Sequence, residues 1–223
     1  MKNSDKPYVI LNAAMTVDGK IASKTGNSQI SCDRDLDRVH RLRSEVDGIM
    51  IGIETVLADD SELTVRRVKG ENPIRIVIDS KGRTPSDARV LDDSAPTIIG
   101  SSELIKDRDK KRLQSLNAEV IITGEETVDL SSLLQILKKE KGMNKLLLEG
   151  GSTLNWSMMK EGLVDEIRIA IHPTIIGGKD AKTLVDGEGM EKIRNGIKLS
   201  LMNTEKVGKD IVLTYEWGNQ DND

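Results

Sequence analysis

Short apolar runs alternate with amphipathic stretches along most of this chain. The apolar runs are rich in β-branched residues and bounded by turn residues, as buried strands are. The amphipathic stretches repeat apolar positions every three or four residues, as helices packed on a sheet do. The predicted strands are residues 8–14, 48–53, 74–79, 97–100, 119–123, 145–148 and 164–171.

The predicted helices lie between these strands. Apolar side chains follow Ser31 at helical spacing, and we expect Ser31 to cap that helix. Gly142 ends an amphipathic stretch and suits a C-terminal cap. Further helices are expected at 106–116, 130–142 and 152–161. Two final strands around the turn at 206–209 predict an antiparallel hairpin.

Alternation of strands and helices predicts an α/β protein with a mixed, mostly parallel central sheet flanked by helices and a C-terminal antiparallel hairpin. No stretch has the composition of a linker, since the 5 prolines are scattered. We therefore interpret residues 1–223 as a single domain with its core at about 8–217.

Composition narrows the range of partners. The chain has 37% hydrophobic and 31% charged residues, which is typical of a soluble globular protein. Aromatic residues are only 2%, which argues against stacking on single-stranded nucleic acid. A net charge of −4 argues against nucleic acid or an anionic membrane as a partner. The chain can still bind phosphorylated metabolites through a few focused arginines.

The reactive side chains are few. The single cysteine, Cys32, excludes an intrachain disulfide, and His40 and His172 do not have the spacing of a metal site. We expect all three residues to be structural or exposed, and we expect no metal. No apolar stretch approaches the ~20 residues of a membrane span, and no signal-peptide pattern is present. These features indicate a cytoplasmic protein.

The stretch KLLLEGGSTLNW, residues 145–156, combines a strand, a carboxylate and a diglycine. Backbone N–H groups after Gly150 and Gly151, at the start of a helix, would favour an anion such as a phosphate. The alternative is a tight turn in which Ser152 or Thr153 caps the helix. The stretch lacks the glycine spacing of the usual dinucleotide fingerprint.

A second polar cluster lies in residues 53–67, which we interpret as a connection between strands. Carboxylates and arginines are interspersed in it, together with Thr55, Leu63 and Thr64. Arginine forks match phosphate, and carboxylates match amines and hydroxyls, so the connection could bind a phosphorylated ligand. The alternative is an ordinary solvated loop.

The third stretch, DSKGR, ends the strand at 74–79. Asp79 could bind ribose hydroxyls, while Ser80, Lys81 and Arg83 could bind a 2′-phosphate. A turn built on Gly82 would explain the same residues without a ligand. The basic residues favour NADPH over NADH, which stays the alternative cofactor.

Taken together in this order, several stretches resemble one enzyme family. They are MTVDGKIA, RVHRLRSEVDGIMIGIETVLADDSELTVR, NPIRIVIDSKGR, LLLEGGSTLNW and EGLVDEIRIAIHPTIIGGKDA. The family is the stand-alone reductase of riboflavin biosynthesis that acts on 2,5-diamino-6-(ribosylamino)pyrimidin-4-one 5′-phosphate. The resemblance implies a dihydrofolate-reductase-like fold, a homodimer, and hydride transfer from NADPH to C1′ of the ribosylamino group.

The resemblance also implies site residues. The cofactor residues would be Ala14, Thr55, Asp59, Ser80, Lys81, Gly82, Arg83, Thr123, Gly150, Gly151, Ser152, Thr153 and Leu154. The substrate residues would be Ser28, Arg43, Leu63, Arg66 and Glu149. Ser80–Arg83 would flank the adenosine side of the cofactor, and 150–154 its pyrophosphate. Glu149 is the candidate catalytic carboxylate, with Asp59 as the alternative, and the sequence singles out no proton donor.

The chain departs from its relatives in two respects. Ser61 stands where many relatives have a proline, which loosens that connection but removes no ligand. The chain also lacks the zinc-ligand set of the deaminase domain that some relatives carry. Two other functions stay open: a dihydrofolate or pterin reductase of the same fold, and a nucleotide-binding sensor without catalysis.

Overall fold

The computed structural model describes residues 5–217. The strands are β1 (Tyr8–Thr16), β2 (Gly48–Gly52), β3 (Ile74–Ile78), β4 (Thr97–Ser101), β5 (Ala118–Ile122), β6 (Lys145–Leu148), β7 (Glu166–His172), β8 (Leu199–Val207) and β9 (Asp210–Trp217). The helices are α1 (Asp33–Arg43), α2 (Ile53–Asp59), α3 (Asp107–Gln114), α4 (Leu130–Lys139) and α5 (Ser152–Lys160). In this part of the chain, no helix combines the length and the apolar composition that a membrane span needs.

The chain divides into two compact units. The first holds residues 5–8 and Val39–Glu149, and the second holds Val9–Arg38 and residues 150–217. The expectation of a single domain stays a prediction.

The first unit is built on parallel strands in the order β5-β4-β3-β2-β6. Ile49, Met50, Ile76 and Ile99 in these strands are almost fully buried and form the centre of its core. Because the strands are parallel, their carboxyl ends meet at one edge, where ligands bind in open α/β sheets. We call this the carboxyl edge; Ile53, Asp79, Ser102, Thr123 and Glu149 each follow one of its strands.

The second unit has the strand order β1-β7-β9-β8. β1 and β7 are parallel, whereas β9 pairs antiparallel with both β7 and β8. The mixed, mostly parallel α/β arrangement and the C-terminal hairpin predicted from the sequence are therefore confirmed. β8 lies at the end of this order, and seven of its nine residues are exposed.

The structure corrects three local predictions. Residues 53–59 form helix α2 and not a loop, because Ile53 and Val56 are buried at helical spacing. Helix α1 begins at Asp33, so Ser31 lies before its cap position and its hydroxyl donates to Asp35 instead. Gly151, and neither Ser152 nor Thr153, is the N-cap of α5.

Arg75 is a fully buried cation in the middle of β3. Its Nε donates to Thr97 Oγ1 at 2.9 Å, and its Nη1 forms an ion pair with Asp92 at 2.7 Å. Its guanidinium also donates to the backbone carbonyls of Arg89, Asp92 and Ala95. Hydrogen bonds from Ser94 and then from Arg75 lower the pKa of Asp92 to about 2. Arg75 thus fastens the connection between β3 and β4 to the core.

We expect Arg75→Met to lower the free energy of unfolding by about 3 kcal/mol, because it leaves several buried acceptors without a donor. Urea unfolding measures the change. Arg41→Met is the matched control, since Arg41 is exposed on α1, and we expect it to change stability by less than about 0.5 kcal/mol. A similar small effect for both variants would contradict this role of Arg75.

Candidate functional site

A bidentate ion pair lies at the carboxyl edge of the first unit. Glu149 follows β6, and Arg43 is the last residue of α1. Arg43 Nε lies 2.9 Å from Glu149 Oε1, and Nη2 lies 2.6 Å from Oε2. The third guanidinium nitrogen, Nη1, donates a hydrogen bond to the Thr64 carbonyl at 3.1 Å. Two parallel hydrogen bonds fix the plane of the carboxylate as well as its position.

The pair is mostly shielded from water, since both side chains are 12% exposed. Burial by itself would lower the pKa of Arg43, but the charge of Glu149 and the hydrogen bonds to it outweigh burial and raise that pKa. Arg43 therefore stays charged at any pH of interest. The pair places a carboxylate of fixed direction at the edge of the sheet without adding net charge there.

His40 is a member of this site that the sequence did not reveal. It lies one turn before Arg43 on α1, is 6% exposed, and its Nδ1 accepts the backbone N–H of Arg66 at 3.0 Å. Burial, followed by the charges of Arg43 and Arg66, lowers the pKa of His40 to about 4. His40 is thus neutral at pH 7 and free to accept. His40 lies three residues before Arg43, so a helix places both on one face. That spacing was the sequence feature that could have indicated His40 as part of the site.

Arg66 is the accessible cation of the site. Its side chain is about half exposed at 49%, and Nη1 donates to Thr64 Oγ1 at 2.9 Å and to Glu62. Arg89 also forms an ion pair with Glu62. Burial and the charge of Arg43 lower the pKa of Arg66, which is partly offset by Glu149. An arginine held in this way, but still open to solvent, suits an incoming phosphate.

The other predicted residues of the first unit lie in different settings. Leu63 has a left-handed backbone (φ 56°) and a side chain that is 2% exposed. Thr55 is half-buried and Asp59 is exposed, and both lie on α2. Thr123 is buried and donates from Oγ1 to the Asp129 carbonyl at 3.0 Å, so its hydroxyl proton closes a turn.

The turn after β3 corrects one prediction. Asp79 is fully buried, and its Oδ2 accepts the backbone N–H and the hydroxyl of Thr84 at 2.7 and 2.8 Å. Oδ2 therefore closes the turn, and the carboxylate is not presented to a ribose because the side chain is fully buried. Gly82 has φ 68°, and a Cβ there would lie 3.0 Å from Ile105, so the turn requires glycine. Lys81 and Arg83 are exposed beside it and line a pocket of about 440 Å³.

The predicted residues of the second unit lie around the start of α5 and on neighbouring segments. Gly150 and Gly151 are joined by a cis peptide bond, and Gly150 has φ 100°. Ser152 and Leu154 are buried, whereas Thr153 is exposed. Elsewhere in the unit, Ala14 is half-buried on β1 and Ser28 is exposed. The ligand-binding roles of these residues stay predictions.

His172 and Cys32 meet at one buried carboxylate in the second unit. His172 Nδ1 lies 2.5 Å from Asp210 Oδ1, and the backbone N–H of Cys32 donates to Asp210 Oδ2 at 3.0 Å. Asp210 is fully buried, so both contacts are structural, and they connect the end of β7 with the hairpin and the start of α1. Across residues 5–217, no group of three or more His, Cys, Asp or Glu side chains is arranged to hold a metal ion.

Comparison with known proteins identifies similar chains. Residues 7–213 match the model of the RibD C-terminal domain. The chain is 54% identical over 213 residues to a Methanothermobacter thermautotrophicus protein named 2,5-diamino-6-ribosylamino-4(3H)-pyrimidinone 5′-phosphate reductase, and the match covers 94% of this chain and 98% of that one.

Two solved structures show the fold. Acinetobacter baumannii RibD, form 2, aligns with a TM-score of 0.82 and 26% identity, over 96% of this chain but only 58% of that longer one. Enterococcus faecalis dihydrofolate reductase, complexed with NADP(H) and RAB-propyl, aligns with a TM-score of 0.55 and 12% identity over 95% of this chain and 97% of that one. The second likeness concerns the fold alone, and it confirms the expected dihydrofolate-reductase-like class.

The low pKa of His40 makes stability depend on pH. Between about pH 4 and 6.5, the unfolded chain binds a proton at His40 that the folded chain excludes, so the free energy of unfolding falls as pH decreases. From pH 7 to 5 this amounts to a loss of about 2 kcal/mol. His40→Asn keeps an acceptor near the position of Nδ1 but does not titrate. Between pH 7 and 5, the free energy of unfolding of this variant should therefore fall by about 2 kcal/mol less than that of the wild type. Urea unfolding of both proteins at the two pH values tests this; equal losses would contradict it.

Proposed function

Because this chain belongs to the RibD C-terminal domain family, we propose that it reduces 2,5-diamino-6-(ribosylamino)pyrimidin-4-one 5′-phosphate to the ribitylamino form with NADPH. The observation that carries the proposal is the 54% identity to the Methanothermobacter reductase along almost the full length of both chains. The reaction adds a hydride to C1′ of the open-chain imine and a proton to the attached nitrogen.

Membership of this reductase family implies a nicotinamide cofactor, which supplies the hydride when bound. The first unit has a pocket suited to one end of such a cofactor, since Lys81 and Arg83 line about 440 Å³ at the carboxyl edge. Cations at this position favour a phosphorylated ribose, and therefore NADPH over NADH. The roles of Thr55, Asp59 and Thr123 stay predictions from the resemblance.

Glu149 is the residue that we assign to the reacting centre. A fixed carboxylate would stabilise the positive charge that develops on the substrate imine as it becomes protonated. Arg43 has donors on all three of its nitrogens engaged, with Glu149 and with Thr64. We propose that Arg43 acts as a positioning residue that orients Glu149, and its direct contact with the substrate stays a prediction from the resemblance.

Arg66 is the residue that we assign to the substrate phosphate. Its side chain is half exposed and is already held in place by an ion pair with Glu62 of the same chain. The neutral His40 holds its backbone through the N–H. Both contacts reduce the freedom that Arg66 would otherwise lose when a phosphate binds, which favours affinity.

The experiment that tests the proposal follows NADPH absorbance with purified protein and three additions: the ribosylamino pyrimidine phosphate, dihydrofolate, and buffer alone. We expect oxidation with the first addition only. Oxidation with dihydrofolate alone would identify a folate reductase instead. No oxidation with either, together with NADPH binding, would identify a nucleotide-binding sensor.

We further propose that the protein is a homodimer that uses β8. This long strand at the end of the second unit's order exposes Leu201 by 56% and Met202 by 58%. An exposed apolar edge strand is a template for association unless another chain covers it. A cytoplasmic location stays a prediction from the sequence.

We expect Arg66→Ala to raise KM for the pyrimidine phosphate about tenfold or more, because a charge-assisted hydrogen bond to phosphate is lost. KM for NADPH should stay within about twofold of wild type. Steady-state kinetics with each substrate varied in turn measure both constants. Lys69→Ala, which removes an exposed cation three residues further along the chain, is the control. Equal increases in the two KM values would contradict the phosphate assignment.

Sedimentation equilibrium tests the dimer. We expect the wild type to sediment at twice the 24.6 kDa chain mass and the Leu201→Asp/Met202→Asp variant to sediment as a monomer, since charges on β8 oppose pairing. Ile193→Asp replaces an apolar side chain that is 96% exposed outside the strands, and it should leave the dimer intact. A monomeric wild type, or a dimer that survives the β8 substitutions, would refute this interface.

A further inference from the structure

The pocket beside the DSKGR turn is lined by more cations than the turn itself provides. Lys81 and Arg83 come from the turn after β3, whereas Lys106, Arg108 and Arg112 come from the segment after β4 that enters helix α3. These segments follow neighbouring parallel strands, so both lie at the carboxyl edge. Leu104, which is 44% exposed, adds an apolar surface to the same pocket.

The base of this pocket is rigid. Arg112 donates from Nη2 to the Gly82 carbonyl at 2.7 Å and from Nη1 to the Thr84 carbonyl at 2.8 Å. A Cβ at Gly82 would also lie 3.2 Å from the Cβ of Asp109, so the turn packs directly against α3. Arg112 therefore holds the turn against α3 and forms one fixed side of the pocket.

The remaining cations are neutralised only in part: Arg83 and Arg108 have carboxylate partners, whereas Lys81 and Lys106 have none among the described residues. Asp109 is the carboxylate that lines the pocket, and it lies 3.3 Å from Arg108 Nε and 3.7 Å from Arg112 Nε. Arg83 is paired with Glu54 at 2.8 Å. The ammonium groups of Lys81 and Lys106 make no hydrogen bond or ion pair with any residue from 5 to 217. Several cations that share one pocket create a local positive potential that favours a multiply charged anion.

We propose that Lys106 and Arg108 are specificity-determining residues that bind the 2′-phosphate of a 2′-phosphorylated adenosine cofactor, opposite Lys81 and Arg83. Leu104 would contact the adenine base, because an apolar surface next to cations matches a base joined to a phosphorylated ribose. The inference deepens the proposed function and rests on it for the identity of the cofactor. It assigns the preference for NADPH to two strand ends and not to the DSKGR turn alone.

The test compares two ligands that differ only in the 2′-phosphate: adenosine 2′,5′-bisphosphate and adenosine 5′-monophosphate. Isothermal titration calorimetry gives Kd for each. We expect the wild type to bind the bisphosphate more tightly. The Lys106→Gln/Arg108→Gln variant should bind the bisphosphate about tenfold or more weakly, with Kd for the monophosphate within about twofold.

The matched control is Lys110→Gln/Lys111→Gln, which removes the same charge from α3 outside the pocket. It should change both Kd values by less than about twofold, since neither lysine lines the pocket and salt screens charges outside it. Equal weakening of both ligands by the pocket variant, no weakening of either, or the same loss with the control would overturn the inference. Each single pocket variant, measured in the same way, keeps the test decisive if the double variant is unstable.

This experiment separates the inference from the function on which it rests. Binding of the two adenosine ligands needs no turnover. A wild type that does not oxidise NADPH with the pyrimidine phosphate, but whose bisphosphate preference disappears in the pocket variant, refutes the proposed substrate and supports the pocket. A wild type that oxidises NADPH but shows no bisphosphate preference refutes the pocket alone.

Discussion

The ion pair between Arg43 and Glu149 is the interaction on which the candidate site depends. It joins the last residue of α1 to the end of β6, and the spare donor of Arg43 reaches the Thr64 carbonyl. Three segments that are distant in the sequence are therefore held by one guanidinium. Because both side chains are largely buried, loss of either partner would leave a poorly solvated charge, which is strongly destabilising.

The polar groups around this pair have separate tasks. Neutral His40 accepts the N–H of Arg66, and Glu62 holds the Arg66 side chain while leaving about half of it exposed. Arg43 thus orients the carboxylate of Glu149, and Arg66 stays accessible to solvent. This division explains how a site with two neighbouring arginines can present both a fixed negative charge and a solvent-accessible positive one. A phosphorylated substrate with an electron-poor centre requires both.

The strands and helices were largely predictable because hydrophobic periodicity reports burial directly. Helix α2 was missed since its polar residues resemble a loop, and only the burial of Ile53 and Val56 reveals its face. The sequence also indicated Arg43, Arg66 and Glu149 without showing that Arg43 would bind Glu149, which lies 106 residues away. Asp79 illustrates the opposite error: a carboxylate at a strand end is a good ligand candidate until its oxygen is found to close a turn.

The central claim is that the carboxylate of Glu149, held by Arg43, acts on the reacting centre of the substrate. Glu149→Gln tests it most directly, since the amide keeps the shape of the side chain and one hydrogen bond to Arg43 but removes the charge. The measurement is the single-turnover rate of NADPH oxidation at saturating pyrimidine phosphate. We expect the rate to fall about tenfold or more, with Kd for NADPH within about twofold of wild type. An unchanged rate would contradict the central claim.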